Sequence, residues 1–161
     1  MFRNVNRYEL TPMTELDAAA ISAWEYPTSY ENDLIRHAAI QCADPGLRER
    51  QFRSVRQDGR LCGFLQWFPL TAEDGSRIIR LGLGQRPDLC GLGNGAGFVR
   101  FIVGATREQH PGVIVELEVD AGHIRARKAY EKAGFIAVDE YELPGSDQRL
   151  VPVVSMIWKD S

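Results

Sequence analysis

Leu81-Gly82-Leu83-Gly84-Gln85-Arg86-Pro87-Asp88-Leu89-Cys90-Gly91-Leu92-Gly93-Asn94-Gly95 is the stretch whose reading decides the fold. A strand-like run ends near Leu83, a loop containing Pro87 follows, and glycines at 91, 93 and 95 open a segment with helical periodicity. A glycine loop at a helix start is an anion site. Its free backbone N–H groups and the positive end of the helix dipole point the same way. Glycine also lets a ligand approach the backbone and supplies positive φ without strain.

Outward from that loop, Phe98, Phe101, Ile102 and Ala105 fall at i, i+3, i+4 and i+7, which predicts a helix over Asn94 to His110 packed on a sheet. His110-Pro111-Gly112 ends it. Val113 to Val119 reads as a strand with Val113, Val115, Leu117 and Val119 on one face and Ile114, Glu116 and Glu118 on the other. Ile124 to Ala133 is a helix with Ala126, Ala129, Tyr130 and Ala133 in register, stopped by Gly134. Phe135 to Tyr141 and Val151 to Trp158 form a final hairpin around Pro144-Gly145-Ser146.

Upstream, Tyr8 to Thr11 suits an edge strand. A helix follows with Thr14 as N-cap and Leu16, Ala19, Ala20 and Ala23 as its apolar face. A second helix spans roughly Tyr30 to Ala43 and ends at Asp44-Pro45-Gly46. Gln51 to Arg56 and Leu61 to Leu70 flank Gln57-Asp58-Gly59-Arg60, and an Asp-Gly between two strand-like runs signals a hairpin. Ser76 to Leu83 adds a third antiparallel strand. The expected fold is α/β (α+β): a mixed, largely antiparallel sheet of six to seven strands with about four helices on its faces, in one domain over residues 1–161.

The 161 residues carry 44% hydrophobic and 25% charged side chains with a net charge of −3, as in an ordinary globular domain. No bulk electrostatic signal points to nucleic acid, no apolar run is long enough for a membrane span, and Met1 to Leu10 lacks a signal-peptide apolar region. Cys42, Cys62 and Cys90 are scattered and have no zinc-like spacing. They imply free thiols in a reducing cytoplasm, with no metal site.

Gly91-x-Gly93-x-x-Ala96 satisfies a relaxed dinucleotide fingerprint. Against that reading, about six residues separate strand from glycines, and an antiparallel meander comes first in place of repeated βαβ units. No Lys-Ser/Thr pair follows the glycines, which excludes a nucleoside-triphosphate loop. A glycine turn without a ligand remains the plain alternative.

The order of these pieces resembles the GNAT-type N-acetyltransferase superfamily, most closely its ribosomal-protein alanine N-acetyltransferases. The family loop is usually written Q/R-x-x-G-x-G/A. Gly93 and Gly95 fit it, Gly91 takes the common extra-glycine position, and the leading Gln or Arg falls on Cys90. The resemblance implies acetyl-CoA as acetyl donor, with the backbone from Gly91 through Asn94 to Gly95 on the pyrophosphate and the pantetheine arm beside Leu83 and Gln85. Cys90 reads as a neutral filler rather than a nucleophile, since no His lies near it in sequence.

The later family pattern, V-x-x-x-N-x-x-A-x-x-x-Y-E-K-x-G-F, is matched by Val119, Ala126, Tyr130, Glu131, Lys132, Gly134 and Phe135, with His123 at the Asn position. The resemblance implies that Tyr130 protonates the leaving thiolate. A Tyr there also packs on a sheet for purely structural reasons. His123 either bonds the pantetheine arm or is an exposed helix-start residue. Arg125, Arg127, Lys128 and Lys132 form a solvated face from which one or two side chains reach the CoA phosphates.

Acetyl transfer to an amine needs a proton removed before attack and an oxyanion held. Ile78 to Gly84 carries no carboxylate, although many family members place their base on that strand. Glu116 and Glu118 lie on the next strand, and Glu118 precedes Tyr130 by twelve residues, the spacing of the alanine acetyltransferases. Glu118 is therefore the candidate base, or a plain solvent-facing strand residue. Trp24, Tyr26 and Tyr30, with Glu25 and Glu31, either line an acceptor pocket or belong to the core.

The function expected is N-acetyl transfer by direct attack in a ternary complex. The acceptor is a small-molecule amine, a peptide N-terminus or a lysine, and the protein is a monomer or homodimer without nucleic-acid or membrane partners. The alternative from another class is a catalytically inert acyl-CoA-binding or sensing domain.

Overall fold

The computed structural model describes residues 7–145 and 147–159, the side chain of Tyr30 excepted. Its strands are β1 (Tyr8–Pro12), β2 (Phe52–Gln57), β3 (Arg60–Thr71), β4 (Arg77–Gln85), β5 (Ile114–Asp120), β6 (Phe135–Pro144) and β7 (Leu150–Trp158). Its helices are α1 (Glu15–Ser22), α2 (Ser29–Cys42), α3 (Pro45–Gln51), α4 (Gly95–Gln109) and α5 (Ile124–Ala133), with a 3-10 turn at Pro87–Leu89. The sheet order is β1-β2-β3-β4-β5-β7-β6. The β1–β2, β2–β3, β5–β7 and β7–β6 pairs are antiparallel, and β4–β5 is parallel. The mixed, largely antiparallel sheet expected from the sequence is present, with seven strands and five α-helices.

Two compact units make up the chain, Met1–Gln66 with Leu83–Cys90, and Trp67–Gly82 with Gly91–Ser161. In the first, Asp58 and Gly59 take φ of 51° and 80°, the left-handed pair that a tight β2–β3 turn demands. Its core gathers Ile21, Ile35, Cys42, Phe52 and Phe64, with Trp24 and Cys90 packed against it. Two expectations fail here. The face of α1 assigned to Leu16, Ala19, Ala20 and Ala23 points to solvent, with Leu16 83% exposed, while Asp17, Ala18 and Ile21 are buried. The polar Asp17 wins that face because Thr14, Ser54 and Arg56 all bond its carboxylate. Asp44-Pro45-Gly46 starts a helix instead of only ending one. Asp44 caps the N–H groups of Gly46 and Leu47, and Pro45 sits in the first turn, where its missing N–H costs nothing.

In the second unit, α4 buries Phe98, Val99, Ile102, Val103 and Thr106. Strand β5 alternates as read from the sequence, with Val115, Leu117 and Val119 buried. Gly134 closes α5 at φ 112°, and the turn residue Ser146 lies outside the described residues.

Candidate active site

The glycine loop gets its shape from alternating backbone signs. Gly91 and Gly93 have φ of 77° and 83°, left-handed values that Leu92 and Asn94 on either side do not share. Such alternation turns successive N–H groups toward one concavity. Helix α4 then starts at Gly95, and its backbone ladder opens with the Phe98 N–H on the Asn94 carbonyl. The N–H groups of residues 95–97 precede that ladder, no side chain caps them, and the first turn holds no acidic residue. The buried Asn94 Oδ1 has no hydrogen-bond partner. A Cβ placed on Gly91 would come 3.8 Å from Arg125 Nη1, which sets that guanidinium beside the loop, and one on Gly95 would come 3.3 Å from Ala129 Cβ. The loop is therefore an uncapped, positively polarised backbone cradle with an arginine at its rim.

Helix α5 brings the second motif. His123 is its N-cap residue without a capping bond from its side chain. Tyr130 is half-buried, its ring edge-on to Phe135 with centroids 6.0 Å apart. Arg127 donates to the Ala121 carbonyl at 3.0 Å, so it belongs to the turn before α5 and not to the solvated face.

Glu118 on β5 is not a free solvent-facing carboxylate. Its Oε2 accepts the Tyr141 hydroxyl, and its Oε1 lies 3.5 Å from Arg80 Nη1. Arg80 in turn donates through Nε and Nη2 to Glu116 Oε1, at 2.9 and 2.7 Å. Burial, then the bond to Glu118, pushes the Tyr141 phenol up to about 12, so it stays a neutral donor. Arg80 and Tyr141 are the residues missed from sequence, because their approach to Glu118 depends on strand register.

Leu83, Gln85 and Cys90 belong to the first unit. A Cβ on Gly84 would strike the Phe64 ring, which explains the glycine between Leu83 and Gln85. The Gln85 carbonyl accepts the Tyr26 hydroxyl and lies 3.7 Å from Cys90 Sγ, and Gln85 Nε2 is buried without a partner. Cys90, like Trp24, is partly buried and packed against that unit's core. Trp24 and Tyr26 are core residues too, Trp24 tilted against Phe64 at 6.2 Å, and the Tyr30 side chain lies outside the described residues.

No protein-family model matches the chain, and comparison with curated proteins gave no match. Solved structures do match. A spermidine N-acetyltransferase SpeG chimera from Vibrio cholerae and hSSAT superposes with a TM-score of 0.76 at 14% identity, over 94% of this chain and 95% of that one. The chain has the GNAT fold. The aminoglycoside acetyltransferase AAC(6')-Ib in complex with coenzyme A matches at TM-score 0.69 and 20% identity, covering 93% of each chain. The ribosomal-protein-alanine N-acetyltransferase from Brucella melitensis matches at 0.68 and 15%, over 92% of this chain and 98% of that one. At these identities the likeness establishes the GNAT fold. Among the described residues, no helix is long and apolar enough to cross a membrane, and no three His, Cys, Asp or Glu side chains are grouped to hold a metal.

Proposed function

We propose that the 161 residues act as one acetyltransferase domain, which moves the acetyl group of acetyl-CoA to a primary amine by direct attack. The observation that carries this reading is the uncapped loop at α4, with Gly91 and Gly93 at positive φ and Arg125 beside it. Backbone N–H groups from Gly91 through Gly93 and Asn94 to Gly95 take the pyrophosphate oxygens. Arg125 supplies the cation that the family loop carries where this chain has Cys90. The unpartnered Asn94 Oδ1 is a polar atom of the loop that a ligand satisfies, and the family resemblance assigns Leu83, Gln85 and His123 to the pantetheine arm.

Acetyl-CoA supplies an activated acyl group and a thiolate leaving group. Tyr130 gives its proton to that thiolate, and Glu118 takes the proton the amine must lose. The acceptor is a small-molecule amine, a peptide N-terminus or a lysine, in keeping with fold neighbours named for spermidine, aminoglycosides and ribosomal-protein alanine. The protein works in the cytoplasm as a monomer or homodimer.

The test is a pair of measurements on the whole chain. Acetyl-CoA at a hundredfold excess over its dissociation constant stabilises the fold by about 2.7 kcal/mol, while NAD and ATP do not. A panel of amines then gives free CoA with at least one acceptor. Equal stabilisation by NAD overturns the reading, and acetyl-CoA binding without CoA release from any amine leaves an inert acyl-CoA-binding domain.

A further inference from the structure

Strand β6 carries an irregularity whose effect is local and specific. Its ladder with β7 pairs Ala137 with Met156 but Asp139 with Ser155, so Val138 is an extra residue bulged out between them. Directly paired residues share a face of the sheet. Ser155 pairs with Glu118 and Val153 with Asp120, and β6 beyond the bulge places Asp139 and Tyr141 opposite Ser155 and Val153. Without the bulge, regular pairing from Ala137 would set Val138 against Ser155 and Glu140 against Val153, and Tyr141 would leave the Glu118 face. A carboxylate would then stand where a hydroxyl donor stands now.

The bulge therefore re-aims one phenol toward Glu118, two strands away. We propose that Tyr141 is a positioning residue for Glu118: its hydroxyl, donated across β7 to Oε2, fixes the carboxylate that receives the acceptor's proton. This rests on the acetyltransferase reading. Arg80 approaches the other oxygen, Oε1, and is itself held by Glu116, so the carboxylate is gripped from two sides by groups that do not compete for one lone pair. Its remaining lone pairs stay open to an amine or an intervening water. Tyr141 touches no reacting atom in this scheme. Its influence passes through Glu118 alone, and that makes it testable by coupling.

Four proteins suffice: the wild type, Tyr141→Phe, Glu118→Gln and the double variant, each assayed with the best acceptor from the amine panel and each melted. Tyr141→Phe lowers kcat about tenfold with the KM for acetyl-CoA unchanged, the loss expected for a hydrogen bond to a charged group. In the Glu118→Gln background the same change lowers kcat no further, because there is no carboxylate left to position. A full tenfold loss in both backgrounds means that Tyr141 acts elsewhere and overturns the proposal. So does an unchanged kcat with a lowered melting temperature, which would mark the phenol as a strand tie. Glu118→Gln with wild-type turnover removes the base and the positioning role together. A wild type that releases no CoA with any amine fails the acetyltransferase reading itself, a result separate from the coupling.

Discussion

Arg56 Nη2 reaches both carboxylate oxygens of Asp17 at 2.8 Å, tying α1 to β2 in the first unit. Ser54 donates to Oδ2 at 2.8 Å, and the Thr14 N–H to the same oxygen at 3.1 Å. Removing one partner of such a pair is costly because the other charge stays behind. Arg56 keeps some solvent, so Asp17→Ala is expected at the lower end of the range, about 3 kcal/mol in urea unfolding.

The same site sets an acid dependence. Burial pushes the Asp17 carboxyl up, but the bonds from Ser54, Thr14 and Arg56 outweigh it and hold it below its ordinary value of 3.8. The unfolded chain then binds that proton more readily than the folded one. Asp17's contribution is complete above about pH 5 and is lost as pH falls through the lowered native value. Urea midpoints from pH 6 down to pH 3 should fall more steeply in the wild type than in Asp17→Ala. Parallel curves would show that the bonds do not discriminate between protonation states.

Thr106 relays a buried chain of bonds in the second unit. Trp67 Nε1 donates to its hydroxyl at 2.8 Å, and the hydroxyl donates to the Ile102 carbonyl at 2.7 Å. Thr106→Val keeps the shape and strands the indole N–H, at a cost of about 1–3 kcal/mol. Thr106→Ser should recover most of that loss. Chemical unfolding followed by tryptophan fluorescence separates the two variants, and equal stability for Val and Ser would place the cost in packing.

What could be read from the sequence follows from the range over which each feature is determined. The Asp58-Gly59 turn, the Gly134 stop and the alternation of β5 rest on neighbours within a few residues, and all three stand in the structure. The glycine loop is equally local. The inward face of α1 has no such local signal, because Asp17 looks like a surface residue until Ser54 and Arg56, far along the chain, come to meet it. The surroundings of Glu118 were out of reach for the same reason. They need the parallel register that sets Arg80 against Glu116 and the bulge at Val138 that turns Tyr141. Neither has a sequence signal of its own.

Gly134 is fixed twice over. Its φ is 112°, and a Cβ there would come 2.8 Å from Trp158 Nε1, which is bonded to the Ala133 carbonyl at 3.0 Å. Gly134→Ala pays for the left-handed backbone, roughly 1–2 kcal/mol, and moves the indole as well. A loss of at least 2 kcal/mol is expected, with a changed tryptophan emission. A loss below about 0.5 kcal/mol would mean that the α5–β6 junction relaxes freely.

Tyr130 and Glu118 are separated by how their losses respond to pH. Tyr130→Phe keeps the ring that packs edge-on against Phe135, so folding and CoA affinity should survive. In the proposed mechanism the change leaves the departing thiolate without its donor, and a lost general acid costs ~10²–10⁴ in rate. Glu118→Gln keeps the shape and removes the proposed proton acceptor. An amine is largely protonated at neutral pH, with reference values of ~7.7–8.0 for an α-amino group and ~10.4 for lysine. As pH rises more of the amine arrives neutral and the base matters less. Turnover of Glu118→Gln should therefore approach the wild type between pH 7 and 10, while the Tyr130→Phe defect persists across that range. Near-normal turnover in Tyr130→Phe would reduce the residue to packing. A Glu118→Gln defect that stays constant with pH would move the search for the base to Glu116 or His123.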